Sequence, residues 1–531
     1  MKVLVTDGVA EEGIRLLRQH RIEVDVKPKP SPQELEACIA NYEGLIVRSA
    51  TKVTAELIEA AARMKVIGRA GAGVDNIDLD AATQRGIVVM NTPGGNTIST
   101  AEHAFSLLLA LSRNISQASA ALKGGMWDRT KYTGVEVFGK TLGIIGVGKV
   151  GKEVAIRANA FGMKVLGHDP FLSEESARTI GVSLCSLGEL YAQSDYITIH
   201  APLTEQTFHL ISDEALSQCK DGVRIIQCAR GGIVDEAALL KAIESGKVAG
   251  AALDVFETEP AIDNPLLARS EVIGTPHLGA STTEAQTNVA IQIAEQIIDM
   301  VETGAIRNAV NLPPLDSETY SKIKPYMDLS EKLGSFLGQL ATGQPVGIRV
   351  EYHGDLFAGS TVPLTSSVIK GTLQGICRKR VNIVNAPIVA KEHGVKVNEV
   401  RSSGHPDYTH LITVSYATSE GTRCVSGTIF GISDPKIVRM REEAEGVEYH
   451  LDAVPEGEMV VCSNMDTPGT IGRIGMLMAE HQINIARMSW GRQRPGGNAI
   501  TVLNLDSPAP RELLREMEAD EHILWAKAVR L

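Results

Sequence analysis

The run Leu142-Gly143-Ile144-Ile145-Gly146-Val147-Gly148-Lys149-Val150-Gly151 decides how the first part of the chain folds. A four-residue strand-like run enters a GxGxxG turn, and a helical pattern leaves it. Glycine at 146 and 148 permits a tight turn and close approach of a pyrophosphate, whose charge is met by the N-terminus of the following helix. Asp169, in His168-Asp169-Pro170, falls at the end of the next strand-like run. A carboxylate there accepts from ribose hydroxyls and repels a 2′-phosphate, so the pattern points to NAD rather than NADP.

Outward from this turn the pattern repeats. Short Val/Ile/Leu runs alternate with helical periodicity, as βαβ units do. One series comprises 3–5, 45–47, 66–67 and 88–90; a second comprises 142–145, 164–166, 196–199, 224–227, 251–253 and 272–273. Two series predict two doubly wound parallel sheets. Helical patterns over 98–122 and 283–301 serve as connectors, so that the chain leaves the first sheet and later returns to it. The pattern breaks at Asn311-Leu312-Pro313-Pro314-Leu315-Asp316, which reads as a linker.

Beyond it, 317–456 mixes helices with strand-like runs at 348–352, 411–416 and 423–430 and carries no catalytic motif. The last segment reads as strand 459–462, helix 469–481, strand 483–488, a Gly496-Gly497 hairpin, strand 499–505, helix 511–518 and strand 523–529, a ferredoxin-like βαββαβ unit. The expected class is α/β, with a Rossmann-type NAD-binding domain (98–283), a second doubly wound, flavodoxin-like domain (1–97 with 284–316), an α+β domain (317–456) and a small ferredoxin-like domain (457–531). At about 150 residues per domain, a length of 531 residues suggests three or four domains.

Composition limits the partners. Lys and Arg number 52 against 64 Asp and Glu, a net charge of −12, with no dense basic run, so nucleic acid and membrane are not expected partners. Seven scattered cysteines without CxxC spacing predict no metal site and a reducing, cytoplasmic setting. The N-terminal residues do not form a secretory signal, and no apolar run reaches the ~20 residues that a membrane span needs.

Chemistry gathers at strand ends, where parallel sheets bind ligands. Arg48 and Arg69 end strands of the first series, and Gly71-Ala72-Gly73 follows as a loop in which Asn76 replaces the third fingerprint glycine. In the second series stand Cys228-Ala229-Arg230-Gly231-Gly232, Asp254-Val255-Phe256-Glu257-Thr258-Glu259-Pro260 and Pro276-His277-Leu278-Gly279. Arginine can hold a carboxylate bidentately, and a histidine beside a carboxylate can move a proton near neutral pH.

Together these motifs resemble the D-2-hydroxyacid dehydrogenase family. Arg48-Ser49, the 69–76 loop and Met90-Asn91-Thr92-Pro93 are similar to the long branch that acts on 3-phosphoglycerate and carries an intervening and an ACT domain. The resemblance implies NAD-dependent oxidation, with His277 as acid/base, Glu259 as its partner and Arg230 on the substrate carboxylate. It places NAD against Ala72, Gly146, Gly148, Lys149, Val150, Gly151, Asp169, Ala201, Cys228, Ala229, Arg230, Asp254, His277, Leu278, Gly279 and Ala280. Arg48, Ser49, Arg69 and Gly71 would hold the substrate, with Arg129 supplied by a neighbouring subunit of a homotetramer. Asn464, Asp466 and Asn484 resemble an ACT effector site for L-serine; the alternative is a unit that only dimerises. Two other readings remain open from sequence, a glyoxylate or 2-oxoglutarate reductase and a dinucleotide-sensing protein without turnover.

Overall fold

The structure, a computed structural model, describes residues 1–313, 317–359, 361–377, 380–442 and 446–531. The end of the expected linker, Pro314-Leu315-Asp316, lies outside the described residues.

The first sheet is built from β1 (Lys2–Val5), β2 (Glu23–Val26), β3 (Gly44–Val47), β4 (Val66–Arg69) and β5 (Val88–Met90), all parallel in the order 2-1-3-4-5. Alternate residues feed opposite faces. Val3, Val5 and Ile46 enter one apolar cluster, and Leu4, Leu45 and Val47 enter the other. Burial on both faces explains why these strands read as unbroken apolar runs. The edge strand β2 alternates charge with valine and went unpredicted.

Gly68 in β4 lets the helix Thr283–Glu302 pack close, since a Cβ there would meet Ile293 Cγ1 at 2.7 Å. The helix that follows the second sheet therefore covers the first, burying Val289, Ile293 and Ile297 in its core. The chain then ties itself to the edge of this sheet before leaving: Val310 N donates to the Val89 carbonyl at 2.7 Å, and the Asn311 amide donates to the Ile87 carbonyl at 2.8 Å.

The second sheet comprises β6 (Thr141–Ile145), β7 (Lys164–His168), β8 (Ser183–Leu184), β9 (Tyr196–Ile199), β10 (Val223–Gln227), β11 (Val248–Leu253) and β12 (Val272–Gly274), parallel in the order 12-11-10-9-6-7-8. Strand order reverses between β6 and β9, the switch point at which such sheets bind ligands. The expected helix over 98–122 is two helices, Thr97–Ser112 and Ile115–Lys123, broken where Asn114 adopts φ 51°. The first buries Ala101, Ala104, Phe105, Leu108 and Leu111, whereas the second buries nothing, so no packing holds the two in line.

The third sheet contains β13 (Pro345–His353), β14 (Lys396–Ser402), β15 (Leu411–Thr418), β16 (Gly421–Phe430), β17 (Asp434–Glu442) and β18 (Val447–Ala453), in the order 14-13-15-16-17-18. Only the β13/β14 pair is parallel. Three of these strands, β14, β17 and β18, were not read from sequence. The helices Ser317–Leu340 and Val362–Leu373 supply Leu329, Leu333, Leu337 and Val368 to its core.

The last sheet, β19 (Glu458–Met465), β20 (Ile485–Arg492), β21 (Asn498–Leu505) and β22 (Ile523–Arg530), is antiparallel in the order 20-21-19-22, with helices Thr470–Glu480 and Arg511–Ala519 between its strands. This is the expected βαββαβ connection, although β20 extends to Arg492 rather than stopping at Met488. Met459, Val461 and Val502 share one apolar cluster with the third sheet. No helix among the described residues is long and apolar enough to cross a membrane.

Candidate active site

The glycine-rich turn lies between β6 and the helix Lys149–Ala160. A Cβ on Gly151 would stand 2.2 Å from the Gly146 carbonyl oxygen, while one on Gly148 would meet nothing within 4 Å. One glycine is thus required by packing, and the other leaves open space where a phosphate would approach. The helix begins at Gly148 without a side-chain cap, so its first amides remain available to an anion. Asp169 closes the turn: its Oδ2 accepts from Val147 N and its Oδ1 from Phe171 N, both at 2.9 Å.

A cavity of about 430 Å³ opens at the strand ends beside this turn, bordered by Val150, Ala201, Cys228, Ala229, Arg230, Asp254, Gly279 and, from the first sheet, Ala72. Burial, reinforced by the neighbouring Asp254, pushes the Cys228 thiol far up, so it walls the cavity as a neutral group. Burial alone would also raise the Asp254 carboxyl. Hydrogen bonds from His103, Thr275 and the Leu278 amide outweigh this and hold it below the usual carboxylate range. Its Oδ1 accepts from Leu278 N at 2.7 Å and its Oδ2 from Gly279 N at 2.8 Å. Asp254 therefore fixes the turn that presents His277. His103 was not singled out from sequence, because it lies within an apolar helical pattern and only the fold brings its Nε2 to 3.1 Å from Asp254.

Arg48, Ser49, Arg69, Gly71, Glu259 and His277 border a second cavity of about 760 Å³ between the two parallel sheets. His277 and Ala280 line both cavities. His277 Nδ1 lies 3.0 Å from Glu259 Oε2, leaving Nε2 for a substrate. His277 holds φ 54°, and its amide contacts the carbonyls of Asp254 and Thr275 at 3.0 Å.

Cations surround this pair. Desolvation, then the charge of Arg230, pushes Arg69 down to about 10, and its buried Nε has no hydrogen-bond partner. A guanidinium in that position is destabilised until an anion arrives. Arg230 Nε meanwhile pairs with Asp75 Oδ2 at 3.1 Å. Gly73 allows that reach, since a Cβ there would collide with Arg230 Nη2 at 2.1 Å. Asn76, which breaks the second glycine motif, donates to the carbonyls of Arg48 (2.8 Å) and Thr51 (2.6 Å) and so positions the Arg48 loop. Arg129 is exposed and borders neither cavity of this chain.

In the last sheet, Asp466 Oδ2 accepts from Arg492 at 3.0 Å close to the start of helix Thr470–Glu480. Asn464 is buried, accepting from Thr501 Oγ1 at 2.8 Å. Asn484 instead bonds Asp506 at 2.7 Å, at the opposite end of the sheet. One chain thus does not bring Asn484 to Asp466, and a joint site requires a second copy.

Three family models match the chain: the NAD-binding domain of D-isomer specific 2-hydroxyacid dehydrogenases over 105–279, the D-3-phosphoglycerate dehydrogenase intervening domain over 322–441, and the ACT domain over 459–522. The chain is 44% identical to a D-3-phosphoglycerate dehydrogenase of Archaeoglobus fulgidus, over 100% of both chains. It is 42% identical to that of Bacillus subtilis, over 100% of this chain and 99% of the other. Among solved structures, an NAD+-bound 3-phosphoglycerate dehydrogenase of Entamoeba histolytica is similar at 32% identity and TM-score 0.50, covering 59% of this chain and 99% of that one.

Proposed function

Since the chain belongs to the D-3-phosphoglycerate dehydrogenase family, we infer that its two cavities hold NAD and a phosphorylated hydroxy acid, and that their residues act as follows. The chain oxidises 3-phospho-D-glycerate to 3-phosphooxypyruvate, the entry step to L-serine. Bound NAD supplies the hydride acceptor. The open helix N-terminus at Gly148–Val150 would hold its pyrophosphate, and Asp169 would accept from the ribose hydroxyls.

Arg230 leaves Asp75 to hold the substrate carboxylate, and Arg48 and Arg69 receive the phosphate. With Nδ1 engaged by Glu259, the free Nε2 of His277 accepts the C2 hydroxyl proton. The observation that carries this reading is Arg69, a half-buried cation whose buried Nε lacks a partner, in the cavity that the Glu259–His277 pair borders. Initial rates with 3-phosphoglycerate, glycerate, glyoxylate and 2-oxoglutarate at matched NAD(H) test it. Failure to turn over the phosphorylated acid would overturn it.

The surrounding organisation is proposed with the same residues in view. The proposed division is 1–97 with 284–316, 98–283, 317–456 and 457–531, a reading supported by the separate membership of the four sheets. A homo-oligomer is favoured by the arm after Ser112, where Ile115, Leu122, Trp127 and Phe138 stand exposed and where Arg129 could reach a neighbouring active site. L-serine is the proposed effector of the ACT unit, its ammonium on Asp466 and its carboxylate on the adjacent helix amides, with the partner's Asn484 completing the site. Titrating millimolar L-serine into the assay tests this; an unchanged rate would refute it. Seven free cysteines support a cytoplasmic setting.

A further inference from the structure

A third cavity, of about 450 Å³, lies at the ends of β4 and β5 opposite to those that face the active site. Two distant parts of the chain wall it: 61–65 and 84–88 beside the first sheet, and 380–385 from the third-sheet module. The junction is firmly made. Asn382 Nδ2 donates to the Gly86 carbonyl at 2.7 Å, Gly86 has φ 72°, and a Cβ there would meet Asn382 Nδ2 at 2.3 Å. Val384 is buried at 4% exposure inside the apolar cluster of the first sheet.

Its charge is opposite in sign to the net charge of the chain. Arg63, Lys65, Arg85 and Arg380 line it, and no aspartate or glutamate does, although the whole chain carries −12. Lys65 is neutralised by Glu43 at 2.7 Å, and Arg85 donates to the Glu59 carbonyl at 3.3 Å. Among the described residues no carboxylate pairs with Arg63, Arg85 or Arg380. Met64, Val88 and Ile383 give the cavity an apolar floor.

We propose that this cavity is a second anion site, separate from the substrate cations, which takes a small organic phosphate and bridges the first and third sheets. Guanidinium forks match the oxygens of a phosphate dianion, and the apolar floor accommodates a short carbon skeleton. A ligand that contacts both walls binds only the docked arrangement, so it stabilises that arrangement by its differential affinity. Arg69, which ends β4 in the active-site cavity, and Lys65, which precedes β4 in this one, are joined by a single rigid strand.

Hydrogen–deuterium exchange on the full chain, with and without millimolar inorganic phosphate, tests the proposal. Phosphate is expected to slow exchange over 382–386 several-fold in the wild type and in R48Q/R69Q. In R85Q/R380Q the same protection should require about tenfold more phosphate or more, from the loss of two charge-assisted contacts. The basal rate of R85Q/R380Q in phosphate-free buffer should equal that of the wild type. No slowing in the wild type would overturn the proposal, as would undiminished slowing in R85Q/R380Q. Loss of the effect in R48Q/R69Q would assign it to the substrate cations and overturn it equally.

Discussion

Replacing Asp169 with asparagine should exchange the cofactor preference without disturbing the fold. In the structure each carboxylate oxygen already takes one backbone amide, Val147 N on Oδ2 and Phe171 N on Oδ1, which leaves one acceptor position on each for a ribose hydroxyl. Asparagine can keep the bond to Val147 and turn its amino group towards Phe171, an exposed residue whose amide water can satisfy. The turn therefore survives, and what is lost is the charge. A hydrogen bond to a charged group contributes about 1.5–3 kcal/mol, so KM for NAD should rise roughly 10- to 150-fold. Repulsion of a 2′-phosphate falls at the same time by about 1–4 kcal/mol per unit charge at ~4 Å, so kcat/KM for NADP should improve at least about tenfold. Measuring kcat/KM for both cofactors at saturating 3-phosphoglycerate reads both changes. A variant whose KM for NAD stays within about twofold of wild type, or whose use of NADP does not improve, would refute the placement of Asp169 on the ribose.

His277→Gln should lower kcat by about 10²–10⁴-fold while changing the NAD dissociation constant far less, as measured by stopped-flow and fluorescence titration; an active variant would remove His277 from proton transfer. Gly231→Ala should be disruptive despite its size, because the new Cβ would lie 1.8 Å from the Phe256 carbonyl oxygen and must displace the turn that carries Arg230. Overpacking of this kind costs about 1–3 kcal/mol, and the loss should appear in kcat/KM as well as in urea unfolding. His200, in the wall of the cofactor cavity, is held down to about 4 from 6.5 by burial. Unfolding then takes up a proton below the unfolded value, so stability is full above pH 6.5 and is lost as pH falls towards about 4. The loss has an upper bound of about 3 kcal/mol. Exchange rates of β9 amides across that range should show it in the wild type and much less in His200→Gln.

Both parallel sheets were legible because burial on two faces forces unbroken apolar runs, and the glycine turn because close approach to a phosphate admits few other residues. Strands β2 and β14 were not, since edge strands mix polar with apolar residues and gain their place only by pairing. The break at Asn114 was hidden for a similar reason: apolar residues continue through Ile115 and Leu122, and only the lack of a surface to bury them ends the first helix.

The sequence by itself determined the chemistry, because a strand-turn-helix for dinucleotide, an arginine, a carboxylate and a histidine at successive strand ends need only local order to be recognised. Tertiary structure alone decided what supports them. His103 reaches Asp254, Asn76 pins the Arg48 loop and Asp75 occupies Arg230, each across a sequence gap that no local pattern encodes. Likewise, only packing of the third sheet against the first closes a basic cavity from residues near 65, 85 and 380. Local sequence specifies which groups can react, whereas long-range packing sets which of them meet, at what distance, and with how much water removed.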